Sequence, residues 1–181
     1  GTQIIAVCDN EPAKLDRAAG DVHPLGNPHI QMDPYRVLAV AKALSARLSQ
    51  LDPANAGEYQ KRLADFSTRW NAAIKRWEAK AAPLKGRKVI VQHNSWVYLN
   101  KWLGLQQVAS MEAKPGVPPT SAYLAGLITV AKSEHPAVLL RAAYQDPKAS
   151  VWLSEHTGVP AVALPFTVGG DAQAKDLFGL F

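Results

Sequence analysis

Lys88-Val89-Ile90-Val91-Gln92-His93-Asn94-Ser95-Trp96-Val97-Tyr98-Leu99-Asn100-Lys101-Trp102-Leu103-Gly104 holds one complete structural unit. Lys88 to Val91 is a short, β-branched apolar run that reads as a strand. Trp96 to Leu103 reads as a helix, and Gly104 ends it. The same alternation continues toward the carboxyl end. Gln107 to Met111 is a second strand, and Thr120 to Ser133 a helix with Thr120 as its cap. Ala137 to Ala142 is a third strand, Pro147 to Thr157 a helix stopped by Gly158, and Ala161 to Leu164 a fourth strand. Strands that alternate with helices imply parallel pairing through right-handed crossovers. Residues 87–181 therefore read as a four-stranded α/β lobe.

Upstream of this lobe the pattern is helical. Asp33-Pro34 reads as an N-cap with proline at the first helical position, followed by an apolar series of Val37, Ala41, Leu44, Leu48 and Leu51. Asp52-Pro53 repeats the start signal and opens a helical stretch running to about Ala82, with a stripe of Tyr59, Leu63, Phe66, Trp70, Ala73 and Trp77. Such a stretch makes a rod of roughly 45 Å. It either packs along a larger body or bridges two lobes. Residues 1–34 are irregular, carrying Pro12, Gly20, Pro24, Gly26, Pro28 and Pro34 after one possible strand, Ile4 to Val7. There are no internal repeats and no low-complexity tracts.

With 181 residues, 48% of them hydrophobic and 19% charged, the chain has a folded domain's composition and buries a core without staples. No apolar run approaches the roughly 18 residues that span a bilayer. The excess of 20 Lys+Arg over 15 Asp+Glu invites a nucleic-acid reading. The basic residues are dispersed, however, and Lys61, Arg62, Arg69, Lys75 and Arg76 read as the solvated face of a helix, with no nucleic-acid motif beside them. Cys8 is the single cysteine, which excludes an internal disulfide and a CxxC site. The opening Gly-Thr-Gln-Ile-Ile-Ala-Val has no basic start or long apolar region, so it does not read as a signal peptide.

In an open parallel sheet, ligands bind beyond the carboxyl ends of the strands. His93 follows the first strand, Glu112 the second, Asp146 the third, and Asp171 the fourth after the turn Thr167-Val168-Gly169-Gly170. His29 lies in the loop ahead of the Asp33-capped helix, with His23 in the same loop. Each has a plainer reading. A strand-end histidine can be a hydrogen-bonded structural residue, Glu112 can pair with Lys114, and Asp171 can serve its turn. Asp146 before Pro147 is most simply a helix cap. His135 and His156 lie at helix ends, where they offset the helix dipole, and carry no functional assignment. The sequence has no Gly-x-Ser-x-Gly, Walker A, Gly-x-Gly-x-x-Gly or His-Glu-x-x-His motif, and nothing nearby activates Cys8. No enzyme signature is present, and spacing alone leaves a metal site open.

Several segments also resemble one known family. Asn27-Pro28-His29-Ile30-Gln31-Met32-Asp33-Pro34 is similar to the Asn-Pro-His-x-x-x-Asp-Pro segment of the zinc- and manganese-type (cluster A-I) substrate-binding proteins of bacterial metal ABC transporters. Gln92-His93-Asn94-Ser95-Trp96-Val97-Tyr98-Leu99 resembles their second signature, a strand ending in His before an aromatic-rich helix. Glu112 to Thr120 is similar to the loop that opens the next helix, and Leu164 to Gly170 resembles the ending of one subgroup. The likeness runs from about Asp21 to Phe181.

The resemblance implies a fold of two α/β lobes joined by one long rigid helix, with a metal ion held in the cleft. Residues 1–55 would be the end of an amino-terminal lobe lacking most of its length, 56–82 the linker helix, and 83–181 the carboxy-terminal lobe. It implies His29 and His93 as ligands. The family's last ligand, an Asp directly after the final strand, is replaced here by Pro165-Phe166-Thr167, so Asp171 is the nearest carboxylate, with Glu112 in reserve. Imidazoles plus one carboxylate suit Zn(II), while more carboxylate shifts preference toward Mn(II). The ion would be transported cargo, and its affinity should fall as the histidines protonate below about pH 6. The implied role is capture for an ABC permease by a periplasmic protein or cell-surface lipoprotein, with no catalysis, nucleic acid or membrane span. A metal-dependent hydrolase with Glu112 as base, or a small-ligand lobe with structural histidines, are the alternatives.

Overall fold

The structure, a computed structural model, describes residues 27–114 and 116–181. His23, Cys8 and the possible strand Ile4 to Val7 lie outside the described residues. A 3-10 turn at Ile30–Met32 leads into α1, Pro34–Leu51. Pro34 occupies its first turn, and Asp33 Oδ1 accepts the backbone N–H of Tyr35 at 2.9 Å and of Arg36 at 3.3 Å. A cap of this kind stabilises a helix by about 1 kcal/mol. After a 3-10 turn at Pro53–Asn55 comes α2, Ala56–Ala81. Its 26 residues make a rod of roughly 39 Å. Asp52 does not cap α2 as its sequence position suggested. The intervening 3-10 turn separates it from the helix start, and its Oδ2 instead accepts the Asn55 side-chain N–H and the Tyr59 hydroxyl, both at 2.8 Å.

The carboxy-terminal half contains β1 (Lys88–Val91), α3 (Val97–Leu103), β2 (Gln106–Ser110), α4 (Ser121–Glu134), β3 (Val138–Ala142), α5 (Lys148–Thr157), β4 (Ala161–Leu164) and the short α6 (Leu177–Leu180). The strands pair in parallel in the order β2-β1-β3-β4. Alternate residues of the central strands build two core layers. Val89, Val91, Leu140 and Ala142 face Trp96, Leu99, Phe166 and Leu180, while Ile90 and Leu139 face Leu127 and Ala131 of α4 and Leu153 of α5. The chain runs from β1 outward to β2, then returns across β1 to β3 and on to β4. The order therefore reverses between β1 and β3, and their carboxyl ends form the crevice where such sheets bind ligands.

A third core joins the helices to this sheet. Trp70 of α2 is wholly buried, and its Nε1 donates to the Pro34 carbonyl at 2.8 Å. Phe66, Trp77, Phe178 and Phe181 surround it, with ring centroids 5.0–5.6 Å from its own. The exposed side of α1 departs from the sequence reading. Leu44 and Leu51, read as part of its packing stripe, are 56% and 64% exposed, and Leu38 and Ser45 are buried instead. The helix carries apolar residues on two sides, and α2 covers the side that includes Leu38.

Candidate functional site

His29 and His93 come from loops separated by the whole of α1 and α2, and both are drawn to the switch-point crevice. Gln92 continues the strand past β1: its N–H donates to the Leu140 carbonyl at 2.7 Å, and its side-chain amide reaches the Asp146 carbonyl at 3.2 Å. The end of β1 is thereby tied to the loop after β3, and His93 projects from that junction. The His29 loop is docked onto the same region. The Tyr98 hydroxyl donates to the Asn27 carbonyl at 2.6 Å, and the Asn27 amide donates to the Asn94 carbonyl at 3.1 Å. The ring centroids of His29 and His93 lie 5.7 Å apart with planes at 77°.

The hydrogen bonds fix which nitrogen each ring presents. Because a carbonyl only accepts, the bond to Asn94 assigns the Asn27 amide nitrogen and leaves Oδ1 on the other side. That oxygen accepts the backbone N–H of His29 at 3.0 Å and lies 2.7 Å from His29 Nδ1. His29 Nδ1 must then carry a proton. His93 has the same arrangement with a charged partner. Its Nδ1 lies 2.9 Å from Glu112 Oε2, which also accepts the Gly116 N–H at 3.0 Å. A carboxylate or amide oxygen on one ring nitrogen is the usual support of a metal-ligating histidine, since it sets the tautomer and orients the ring.

The other candidates separate clearly. Asp171 lies in an exposed turn after β4, and its Oδ1 accepts the N–H of Gln173 and Ala174, both at 2.8 Å. Asp146 Oδ1 accepts the Lys148 N–H at 2.9 Å, but the N-cap of α5 is Pro147, so Asp146 holds the turn ahead of the helix and does not cap it as expected. His135 sits at the end of α4 in the left-handed conformation, and His156 stacks on Trp152. Among the described residues, no three His, Cys, Asp or Glu side chains group closely enough to hold a metal ion. The assembled unit is two oriented imidazoles with Asn27 and Glu112 behind them.

Sequence reasoning missed the supports of this pair. Phe166, within the Pro165-Phe166-Thr167 stretch that stands where the resemblance implies a last carboxylate, is buried with its ring centroid 5.8 Å from His29 and 5.1 Å from Trp96. Tyr144, just past β3, sets its ring 6.1 Å from Phe166. The surrounding protein, and secondarily the charge of Glu112, push the Tyr144 hydroxyl above its ordinary pKa. Asn27 alone carried a signal, its place two residues before His29 in the quoted segment.

Residues 3–180 match the family described as ZnuA, zinc-uptake complex component A, periplasmic. The chain belongs to the ZnuA family. Among curated ZnuA-family relatives, the high-affinity zinc uptake system protein ZnuA of Bacillus subtilis is 25% identical over 150 residues, which are 83% of this chain and 47% of the relative. The protein of the same name from Paracoccus denitrificans is 25% identical over 122 residues, 67% of this chain and 37% of the relative. A solved ZnuA crystal structure superposes with a TM-score of 0.74 at 26% identity, over 88% of this chain and 58% of that one. A cadmium-bound periplasmic metal-binding protein from Candidatus Liberibacter asiaticus, 16% identical, shares the fold with a TM-score of 0.71 over 86% of this chain and 60% of that one. The chain spans about half the length of the curated relatives it matches, or less. No helix among the described residues is long and apolar enough to cross a membrane.

Proposed function

We propose that this chain is the metal-capturing part of the binding protein of a bacterial zinc ABC importer, which takes up Zn(II) outside the cytoplasm and passes it to the permease. The observation that carries this reading is the pair of imidazoles brought 5.7 Å apart, each with its Nδ1 held by an oxygen of a neighbouring side chain. Zinc–nitrogen bonds of about 2.1 Å at a tetrahedral angle bring two imidazole centroids roughly 5 Å apart. The 5.7 Å separation in the structure is close to that value. His29 and His93 are the proposed ligands. Asp171 does not group with the pair in the structure, where its Oδ1 holds its own turn, so it would serve as the proposed carboxylate donor only through a movement of that turn. Manganese is the alternative cargo, disfavoured by the imidazole content. A periplasmic or surface-lipoprotein location follows from the family's role.

The domain division proposed with this function places residues 1–55 with an amino-terminal lobe, 56–82 as a linker helix and 83–181 as the carboxy-terminal lobe. The outward stripe of Val40, Leu44 and Leu51 on α1 supports it, because apolar side chains at these spacings suit burial against a further layer. A hydrolase would need Glu112 as a general base toward a metal-bound water. The shared use of Glu112 Oε2 by His93 and Gly116 favours capture without catalysis. Zinc titration calorimetry on this chain and on His93→Ala, with manganese for comparison, tests the proposal. A one-to-one zinc isotherm that the substitution abolishes is expected, and zinc binding unchanged in His93→Ala would refute it.

A further inference from the structure

Tyr144 is 71% exposed, the most exposed large apolar side chain among the described residues, yet it sits on a tightly bound turn. Ala143 N–H donates to the Leu164 carbonyl at 2.9 Å, and Gln145 N–H to the Ala142 carbonyl at 3.0 Å. The Ala142 N–H donates to Gln145 Oε1 at 2.7 Å, and Arg141 Nη1 to the Gln145 carbonyl at 3.3 Å. The Gln92 amide holds the adjoining Asp146 carbonyl. The backbone on both sides of Tyr144 is therefore fixed to β4, to β3 and to the residue preceding His93. A ring presented to solvent from such a turn is placed there by the fold.

Its position links the supports of both histidines. The Tyr144 ring packs edge-on against Phe166, and the same Phe166 ring packs against His29. The turn that carries Tyr144 is itself held by Gln92, the residue before His93, through the Asp146 carbonyl. We propose that Tyr144 is the outer wall of the metal pocket, a positioning residue that slows release of the bound ion by keeping water from the imidazole pair. The inference rests on His29 and His93 being the ligands.

The wall lies in the ring rather than the hydroxyl, which separates it from ligation and from the hydrogen bonds of the pocket. Tyr144→Ala and Tyr144→Phe, made in this chain and loaded with zinc, are mixed with excess chelator in a stopped-flow instrument, with His93→Ala as reference. Tyr144→Ala is expected to release zinc roughly three to ten times faster, the range an edge-to-face aromatic contact corresponds to. Tyr144→Phe should match the parent. The absorption bands of the cobalt-substituted form should stay unchanged in both, as no ligand is touched, and the metal-free melting temperature should fall in Tyr144→Ala only by what its contact with Phe166 is worth. Equal release rates for Tyr144→Ala and the parent, with zinc lost in His93→Ala, would overturn the wall and leave the ligand pair standing. Release from Tyr144→Phe as fast as from Tyr144→Ala would overturn it too, by assigning the effect to the hydroxyl. Zinc retained by His93→Ala would remove the ligand pair itself, and the wall with it.

Discussion

Replacing Glu112 separates two roles that the sequence left side by side, ligand in reserve and partner of a ligand. In the structure Oε2 is 2.9 Å from His93 Nδ1 and 3.0 Å from the Gly116 nitrogen, so the carboxylate faces the nitrogen of His93 that a metal does not use. Both side chains are largely buried, at 17% and 14% exposure, which shields their interaction from solvent screening. Glu112→Ala removes an acceptor that fixes the tautomer and orientation of His93 but leaves Nε2 in place. Outer partners of ligating histidines are worth about 10- to 100-fold in metal affinity, or roughly 1.4 to 2.7 kcal/mol. Glu112→Gln can put an amide oxygen where Oε2 stands and keep both hydrogen bonds, losing only the charge; it should weaken zinc by no more than about tenfold, since a charge-assisted bond is roughly twice as strong as a neutral one. Competition with a calibrated chelator at fixed pH measures all three proteins on one scale beside His93→Ala. The expected ranking is parent, then Glu112→Gln, then Glu112→Ala, with His93→Ala weakest. If Glu112→Gln and Glu112→Ala both lose zinc as completely as His93→Ala does, Glu112 is itself a ligand and the orientation argument is wrong. If neither loses any, the hydrogen bond has no bearing on the metal.

The remaining expectations concern the helical part. Trp70→Ala empties a wholly buried site among four aromatic rings and should destabilise the chain by about 3 to 5 kcal/mol in urea denaturation. Trp70→Phe keeps most of the packing and removes the side-chain donor that the Pro34 carbonyl has in addition to its place in α1, at about 0.5 to 1.5 kcal/mol; a cost equal to that of the alanine variant would contradict this division. The Tyr35 hydroxyl donates to Glu78 Oε1 at 2.7 Å, and chiefly for that reason its pKa is raised. A phenol whose pKa is higher in the folded state favours folding below the ordinary value near 10, and this contribution is lost as pH rises through the raised folded value. The stability difference between the parent and Tyr35→Phe should therefore be constant near neutrality and shrink in strongly alkaline solution, and a difference that grows there would contradict the sign.

The order of strands and helices was legible because each element announces itself locally: β1 by three consecutive β-branched residues, α3 and α5 by the glycines that end them, α1 by Asp33 and Pro34. What could not be read was which apolar side each helix buries. Leu38 and Leu44 are equally apolar in sequence, and only the docking of α2 decides that the first is inside and the second outside. The site divides in the same way. His29 and His93 stood out through their neighbours in the chain, but Phe166 and Tyr144 have no motif, because their roles arise from the reversal of strand order between β1 and β3. That reversal brings the end of β1 beside the turn after β3, and that turn's bond to Leu164 carries the chain on from β4 toward Phe166. Phe166 after β4 then packs on His29, and Tyr144 after β3 packs on Phe166, without either being near the histidines in sequence. Phe166, in the stretch where the resemblance implies a carboxylate, follows the same logic. A buried ring against His29 restricts that imidazole by packing, where a carboxylate would bind the ion directly. Packing of that kind sets the imidazole by shape, where a carboxylate would add charge.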